Sequence, residues 1–265
     1  MTWVIGAASV LSTGAIISDI RVRFQSGHTA DILQKAYPVG NYIAAGFAGS
    51  VKIGFQLIQD LKDSMTVSGM DGGYAFDPVQ VANAWSSRAR EIFAHAAGEE
   101  RRNGAQIILV GVHPAENMGV AEFPRVYVIR FTAPHFVPSF IKRGLRMCSI
   151  GTGAGVDQYK RALRPLFRLG SGIHQAHMSG IYEWARTLAF STTIAVRDFP
   201  YAGISENFHV VGIRLGEMVV VPNDMVTYPP DAPPLELTMP PVAHSWQEFC
   251  EMALLHSTAS AGAIC

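Results

Sequence analysis

The sequence predicts an α+β fold in which antiparallel sheets pack face to face and helices cover their outer faces. Two apolar runs near the N-terminus, separated by a turn, are typical of a buried hairpin. Further along, strands and helices come in groups, without the regular alternation that a parallel sheet requires. The chain has 265 residues, of which 49% are hydrophobic, so one large domain can bury a substantial core.

The first strands are predicted from their apolar runs. Residues 2–9 are apolar almost throughout, Leu11–Gly14 resembles a turn, and residues 15–18 resume the apolar run up to Asp19. Because the pattern is continuous and does not alternate, both faces of this hairpin should be buried. A second strand pair is predicted between residues 35 and 48.

Two helices follow these strands. Ser50 is a good N-cap for the first helix, whose apolar positions share one face: Val51, Phe55, Ile58 and Leu61. Asp77 and Pro78 supply a cap and a first-turn proline for the second helix. Gly98 is predicted to end that helix.

The second half repeats this grouping. The predicted strands are 106–112, 126–131, 147–150, 208–214 and 218–221. Helices are predicted between the third and fourth of them, at 156–167 and 173–189. Pro165 should kink or shorten the end of the first of these helices.

Composition excludes several classes of partner. Lys plus Arg and Asp plus Glu both number 21, so the net charge of zero gives no general attraction to nucleic acid or membrane. Three cysteines without framework spacing suit a reducing compartment, and we expect a cytoplasmic protein. The N-terminal run lacks the basic flank of a signal peptide, and no run is long enough to span a membrane. No cofactor is expected.

The last 44 residues differ in composition from the rest. Residues 222–265 are rich in proline, contain five acidic residues and lack Lys and Arg. We therefore divide the chain into a domain at 1–221 and a Pro-rich acidic C-terminal extension at 222–265. A short amphipathic helix is predicted in the extension around Trp246–Leu255.

Thr2 could carry nucleophilic chemistry. A threonine at the N-terminus can attack through its hydroxyl while its own α-amine accepts the proton. That amine has a reference pKa of about 8, close to working pH. Removal of Met1, which a small second residue permits, would expose the amine.

Four motifs accompany Thr2 in order along the chain. Asp19 and Arg21 form an Asp-x-Arg at the end of the second apolar run, Lys35 follows Asp19 by 16 residues, and Gly49 follows Lys35 by 14 in a Gly-Phe-Ala-Gly string. Residues 149–153 read Ser-Ile-Gly-Thr-Gly. In these motifs and spacings, residues 2–221 resemble the proteasome β-subunit and HslV family of N-terminal-threonine (Ntn) hydrolases, as a bacterial proteasome-like homologue.

The resemblance implies a four-layer αββα sandwich of two antiparallel sheets flanked by helix pairs, the Ntn-hydrolase fold. It also implies a threonine-type endopeptidase that works through an acyl-enzyme on Thr2. Lys35 would lower pKa values and stabilise charge, Asp19 would orient Lys35, and Arg21 would support them. The Gly49 N–H would form the oxyanion hole. Thr152 would assist proton transfer at the amine, and Asp198 would support the same network.

The resemblance further implies a substrate pocket and an assembly. The first specificity pocket would be lined by Leu33, Tyr37, Phe47 and Val51, and should prefer an apolar side chain. Such enzymes enclose their threonines in homo-oligomeric rings, commonly stacked. Their substrates are peptides or unfolded proteins, delivered by an ATP-dependent unfoldase.

The sequence departs from the family pattern at several positions. The Thr2–Asp19 hairpin is one residue longer than usual, and Trp3 stands where threonine is common. Asp198 lies further beyond Thr152 than the family spacing. Tyr201 occupies the position of a supporting serine. A catalytically inactive ring or scaffold subunit is therefore an alternative, which retention of Met1 would favour. A third possibility is an Ntn hydrolase of small amides, which needs no enclosed chamber.

Other motifs give weaker signals. Gly151, Gly153 and Gly155 could belong to a phosphate-binding loop, but the third glycine is out of place and the βαβ frame is absent. His174 and His177 have helical spacing, yet no acid or cysteine nearby completes a metal site. No metal is expected.

Basic residues recur every four positions at Lys160, Arg164 and Arg168. If the helix continues past Pro165, they form a basic stripe. The stripe is either a solvated face or a docking site for the acidic extension of another subunit.

Overall fold

Antiparallel strands make up most of the β structure. The computed structural model describes residues 2–9, 12–24, 26–65, 77–113, 125–141, 146–168, 180–201, 203–222, 225–226, 235–236 and 239–262. Its strands are β1 Trp3–Ala8, β2 Gly14–Asp19, β3 Arg21–Arg23, β4 Thr29–Asp31, β5 Ala36–Gly40, β6 Ile43–Gly49, β7 Ala105–Val112, β8 Val126–Thr132, β9 Ser139–Phe140, β10 Met147–Gly151, β11 Phe208–Arg214, β12 Glu217–Pro222, β13 Met225–Val226 and β14 Leu235–Glu236.

The helices follow the strands in groups. They are α1 Val51–Met65, α2 Pro78–His95, α3 Gly98–Arg102, α4 Asp157–Leu163, α5 Ile181–Asp198 and α6 Trp246–Gly262, with 3₁₀ turns at Thr152–Gly155 and Arg164–Phe167. In the part of the chain described, no helix combines the length and hydropathy that crossing a bilayer requires. The predicted mixed α+β class is confirmed.

Two five-stranded antiparallel sheets occupy the centre of the described structure. The first has the order β10-β1-β2-β11-β12 and the second β5-β6-β7-β8-β9. The predicted N-terminal hairpin is confirmed, with every residue of β1 and β2 buried. Gly6 of β1 lies where the sheets meet, because a Cβ there would be 2.3 Å from the Ile108 side chain in β7.

Buried apolar side chains lie on both faces of these sheets. One cluster joins the two sheets and includes Val4, Ile16, Ile108, Val128 and Val211. A second, on the first sheet, includes Trp3, Ile17, Tyr159, Trp184 and Leu188 and brings in α4 and α5. A third, on the second sheet, includes Phe47, Leu57, Trp85, Leu109 and Phe249 and brings in α1, α2 and α6.

The predicted helix starts are confirmed by their caps. Ser50 Oγ accepts a hydrogen bond from Ile53 N at 3.2 Å, and Asp77 Oδ1 accepts one from Val79 N at 2.7 Å. Pro165 does end an α-helix, since α4 stops at Leu163 and a 3₁₀ turn continues the chain.

Three predicted boundaries are wrong. Gly98 begins α3 and does not end α2, which stops at His95. The helix predicted at 173–189 ends nine residues later than predicted, since α5 spans Ile181–Asp198 and Thr192, Thr193 and Val196 bury one helical face despite their strand preference. Residues 173–179 of that prediction lie outside the described residues. The C-terminal helix is longer than predicted and reaches Gly262.

Candidate active site

Thr2 lies at the edge of a cleft of about 690 Å³. Gly49, at the end of β6, and Thr152, in the turn after β10, line the same cleft. The structure thus brings together three residues that the sequence analysis selected from positions up to 150 apart. Met1 is outside the described residues.

The strand pairing of β1 with β10 sets the position of Thr2. Trp3 is paired with Gly151. Thr2 N donates to Thr152 Oγ1 at 3.3 Å, and Gly153 N donates to Thr2 O at 3.4 Å. In the full-length chain Thr2 N is a peptide nitrogen; it becomes the α-amine when Met1 is removed.

Gly151 permits this close approach. Its φ is +81°, a conformation that L side chains rarely adopt, and a Cβ there would lie 2.1 Å from Thr2 O. Gly151 is therefore explained by backbone contact with Thr2, and Gly153 by packing, because a Cβ there would lie 2.6 Å from the side chains of Trp3 and Ile204. No phosphate ligand is needed to account for the glycines.

The Asp19 side chain makes hydrogen bonds both to β1, directly after Thr2, and to Lys35. Its Oδ1 accepts hydrogen bonds from Trp3 N at 2.8 Å and from Lys35 Nζ at 2.7 Å. Both side chains of the ion pair are 0% exposed. The predicted contact between Asp19 and Lys35 is confirmed.

Burial shifts the titration of Lys35. The loss of water lowers the pKa of the Lys35 ammonium, while the charge of Asp19 and the hydrogen bond to it act in the opposite direction. Nζ also donates to Arg21 O at 2.6 Å. An ammonium has three N–H donors, and these contacts use two of them.

Arg21 belongs to a second polar network behind the ion pair. Its guanidinium binds both carboxylate oxygens of Asp31, at 2.7 and 3.0 Å, and donates to Ile204 O at 3.0 Å. Ser205 Oγ donates to Asp31 Oδ2 at 2.6 Å. The hydrogen bond to Asp31 raises the pKa of Arg21, which stays a cation.

Sequence reasoning missed Asp31, which faces Arg21 across the short β3–β4 hairpin. Three-residue strands give too little periodicity to be recognised.

Three of the four predicted pocket residues line the cleft. They are Leu33, Phe47 and Val51. Tyr37 is buried in the adjoining core, where its hydroxyl donates to Gln34 O at 2.7 Å and its ring packs on Phe55. Its role in specificity stays a prediction.

The backbone conformation of Gly49 is one that only glycine adopts without strain. Its φ is +103°, and a Cβ would meet Gly104 O at 2.4 Å. The next residue, Ser50, donates its backbone N–H to Gly104 O at 2.9 Å, and its hydroxyl contacts the Glu100 carboxylate. Gly49 is thereby held at the cleft edge beside the start of α1.

Asp198 lies apart from the cleft. It is exposed at the C-terminal end of α5, and its neighbour Arg197 pairs with Glu206 at 2.6 Å. Among the contacts of the described residues, none links Asp198 to Thr2 or Thr152. Its supporting role stays a prediction.

Further residues of the cleft were not anticipated from the sequence. Gln106 Oε1 accepts a hydrogen bond from Gly151 N at 3.1 Å and so helps to hold the strand next to Thr2. Glu100, Trp246 and Phe249 also line the cleft. Nothing in their local sequence indicates this, because only tertiary packing brings them there.

The α-helix does not continue past Pro165, so the condition for a helical basic stripe is not met. The three basic residues nevertheless lie close together. Lys160, Arg164 and Arg168 line one recess of about 290 Å³ together with Met147 and Ser149. Two acidic residues of the extension have partners within it: Glu248 accepts from His244 N, and Glu251 accepts from Gln247 Nε2.

Within the described ranges, no group of three His, Cys, Asp or Glu residues could hold a metal ion. His174 and His177 are outside those ranges. A scan against protein-family models and a search of curated proteins found no match for this chain.

Proposed function

We propose that this protein is an N-terminal-threonine endopeptidase whose nucleophile is Thr2, exposed by removal of Met1. The observation that carries the proposal is the arrangement around Thr2. Its nitrogen is 3.3 Å from Thr152 Oγ1, and Asp19 connects the adjacent Trp3 amide to a fully buried Lys35. The helix groups on the outer faces of two packed sheets also agree with the four-layer Ntn-hydrolase arrangement.

In this proposal the α-amine of Thr2 removes the proton from Oγ1, which attacks the carbonyl carbon of the peptide bond. The carbonyl oxygen becomes an oxyanion, stabilised by the Gly49 N–H. We assign to the third Lys35 N–H the role of favouring the deprotonation of Oγ1. Thr152 holds the amine in place through its hydroxyl.

The tetrahedral intermediate then breaks its C–N bond. The ammonium of Thr2 returns the proton to the leaving amine, and the acyl group remains on Oγ1 as an ester. Water, deprotonated by the same amine, hydrolyses the ester and restores the hydroxyl. Every proton is accounted for by the amine, and no metal or cofactor is required.

The proposal extends to the assembly and its partners. Closed, stacked homo-oligomeric rings would confine Thr2 to a chamber, and peptides or unfolded proteins would be the substrates. An ATP-dependent unfoldase would deliver them. These extensions rest on the resemblance in sequence.

The decisive experiment combines mass spectrometry with acylation. We expect the intact mass to be short by one methionine and N-terminal sequencing to begin at Thr2. A β-lactone that acylates nucleophilic hydroxyls should then add its own mass to the N-terminal peptide. Thr2→Ala should abolish this adduct and reduce peptide hydrolysis by at least about 10³-fold.

Thr187→Ala provides a matched control, since this threonine lies on α5 and donates to Glu183 O. It should acylate and hydrolyse as the wild type does. A chain that retains Met1 and forms no adduct would overturn the proposal.

A catalytically inactive ring or scaffold subunit is the second candidate. The exposed position of Asp198 favours it, because the predicted support for Thr152 is displaced from the cleft. Retained Met1 together with a ring-sized particle in sedimentation would establish this alternative. A protein that hydrolyses only small amides and forms no rings would instead support the small-amide hydrolase.

A further inference from the structure

The C-terminal extension forms one wall of the Thr2 cleft. Trp246 and Phe249, both on α6, line this cleft together with Thr2 and Gly49. In sequence they lie 197 and 200 residues beyond Gly49, and further still from Thr2. The cleft is therefore completed by the extension of the same chain.

A short pairing interaction anchors the extension next to the predicted pocket. Ala243 is fully buried and pairs with Leu33 in parallel. Its N–H donates to Ile32 O at 2.8 Å, and its carbonyl accepts from Gln34 N at 3.2 Å. Because Leu33 itself lines the cleft, this pairing fixes the start of α6 at the cleft edge.

The start of α6 is also fixed by side-chain caps. Ser245 Oγ accepts from Glu248 N at 3.2 Å, and the Glu248 carboxylate accepts from His244 N at 2.7 Å. This reciprocal arrangement resembles a capping box. It gives Trp246, in the first turn of α6, a defined position.

Trp246 and Phe249 are buried to different extents. Phe249 is 8% exposed and packs on Phe24, with ring centroids 6.3 Å apart. Trp246 is only half-buried, although its ring packs at a tilt against Phe249, with centroids 5.6 Å apart, and Lys52 Nζ lies 5.8 Å from its ring centroid. By contrast, Trp3, Trp85 and Trp184 are at most 2% exposed.

We propose that Trp246 is a specificity-determining residue that receives a large apolar side chain of the peptide substrate. This inference rests on the proposed function. Phe249 and Ala243 anchor the wall, and the half-buried indole offers apolar surface that a bound side chain would cover. It lines the cleft together with Leu33, Phe47 and Val51, so the apolar part of the lining includes a residue that the sequence analysis did not select.

The test compares full-length wild type with Trp246→Ala on two blocked peptides. The peptides are identical except for Phe or Ala before the scissile bond. The kcat/KM for the Phe peptide should fall about tenfold or more in the variant, while that for the Ala peptide changes less than about twofold. Trp246→Phe should retain most of the preference.

Leu255→Ala is the matched control, because Leu255 is on the same helix and is 70% exposed. It should leave both peptides unaffected. An equal loss for both peptides in Trp246→Ala would show that Trp246 only supports the fold. No change for either peptide would overturn the proposal as well.

Calorimetric binding of the Phe peptide separates this inference from the proposed function. If wild type binds the peptide without cleaving it and Trp246→Ala binds it about tenfold more weakly, the peptidase proposal fails and the role of Trp246 stands. If wild type cleaves the peptides but the Phe-to-Ala ratio is unchanged in Trp246→Ala, the peptidase stands and the role of Trp246 fails. Neither binding nor cleavage by the wild type would overturn both.

Discussion

Replacing Lys35 by methionine should strongly destabilise the protein. Methionine removes the ammonium and leaves the Asp19 carboxylate at 0% exposure. Its Oδ1 would keep the hydrogen bond from Trp3 N, and its Oδ2 has no hydrogen-bond partner among the described residues. Removing one member of a buried ion pair costs about 3–5 kcal/mol in the free energy of unfolding.

Urea denaturation measures this cost. With an m-value of about 3 kcal/mol/M, the midpoint should fall by about 1–1.7 M. The double variant Asp19→Asn with Lys35→Met has no buried charge at this site and should recover most of the loss. Lys52→Met should change the stability by less than about 0.5 kcal/mol, because Lys52 is exposed.

The reasoning would be refuted by either of two results. One is a loss below about 1 kcal/mol in the single variant, which would mean that the Asp19 carboxylate is readily hydrated or protonated. The other is a double variant no more stable than Lys35→Met, which would mean that packing and not charge holds the site together.

Two further perturbations test the environment of Thr2 and its sheet. Gly151→Ala places a Cβ within 2.1 Å of Thr2 O at a φ of +81°, so it should lower the free energy of unfolding in urea by about 1–3 kcal/mol and slow β-lactone acylation. The control is Gly155→Ala, whose Cβ meets open space. Equal behaviour of the two variants would contradict the prediction. Burial lowers the pKa of His209 from 6.5 to about 4, with His244 and Lys35 adding to the effect. His209 therefore becomes protonated below about pH 6.5 in the unfolded chain but only below about pH 4 in the native state. As the pH falls through that window, the free energy of unfolding should decrease by about 3 kcal/mol. His209→Leu should reduce the difference between urea midpoints at pH 7 and pH 4.5, and an unchanged difference would refute the assignment.

Local patterns predicted the parts of the fold that local interactions determine. The β1–β2 hairpin is continuous and apolar, and the caps at Ser50 and Asp77 act within three residues of their own positions. By contrast, the end of α5 was placed nine residues too early, at 189 where the helix reaches Asp198. Its buried threonines have no strong helix preference, and the sheet against which they pack decides their state.

The spacing of the motifs predicted only part of the candidate site. Spacing related Asp19 to Lys35 and Lys35 to Gly49; the structure pairs Asp19 with Lys35 and places Gly49 on the cleft that Thr2 lines. Spacing could not identify Asp31, Gln106 or Trp246. Each of these contacts the site through a side chain or a fold-back segment whose partner is distant in sequence.

The buried ion pair also bears on the choice between the peptidase and the scaffold. A buried pair contributes little net stability compared with apolar side chains of similar volume. Net stability alone therefore does not require Asp19 and Lys35 next to the Thr2 strand, whereas the proposed mechanism requires the Lys35 ammonium. The double variant Asp19→Asn with Lys35→Met separates the two roles, because it should restore stability while Thr2 loses its reaction with the β-lactone. Restored stability with undiminished acylation would mean that Thr2 reacts without the pair, and the mechanism proposed for Lys35 would be wrong.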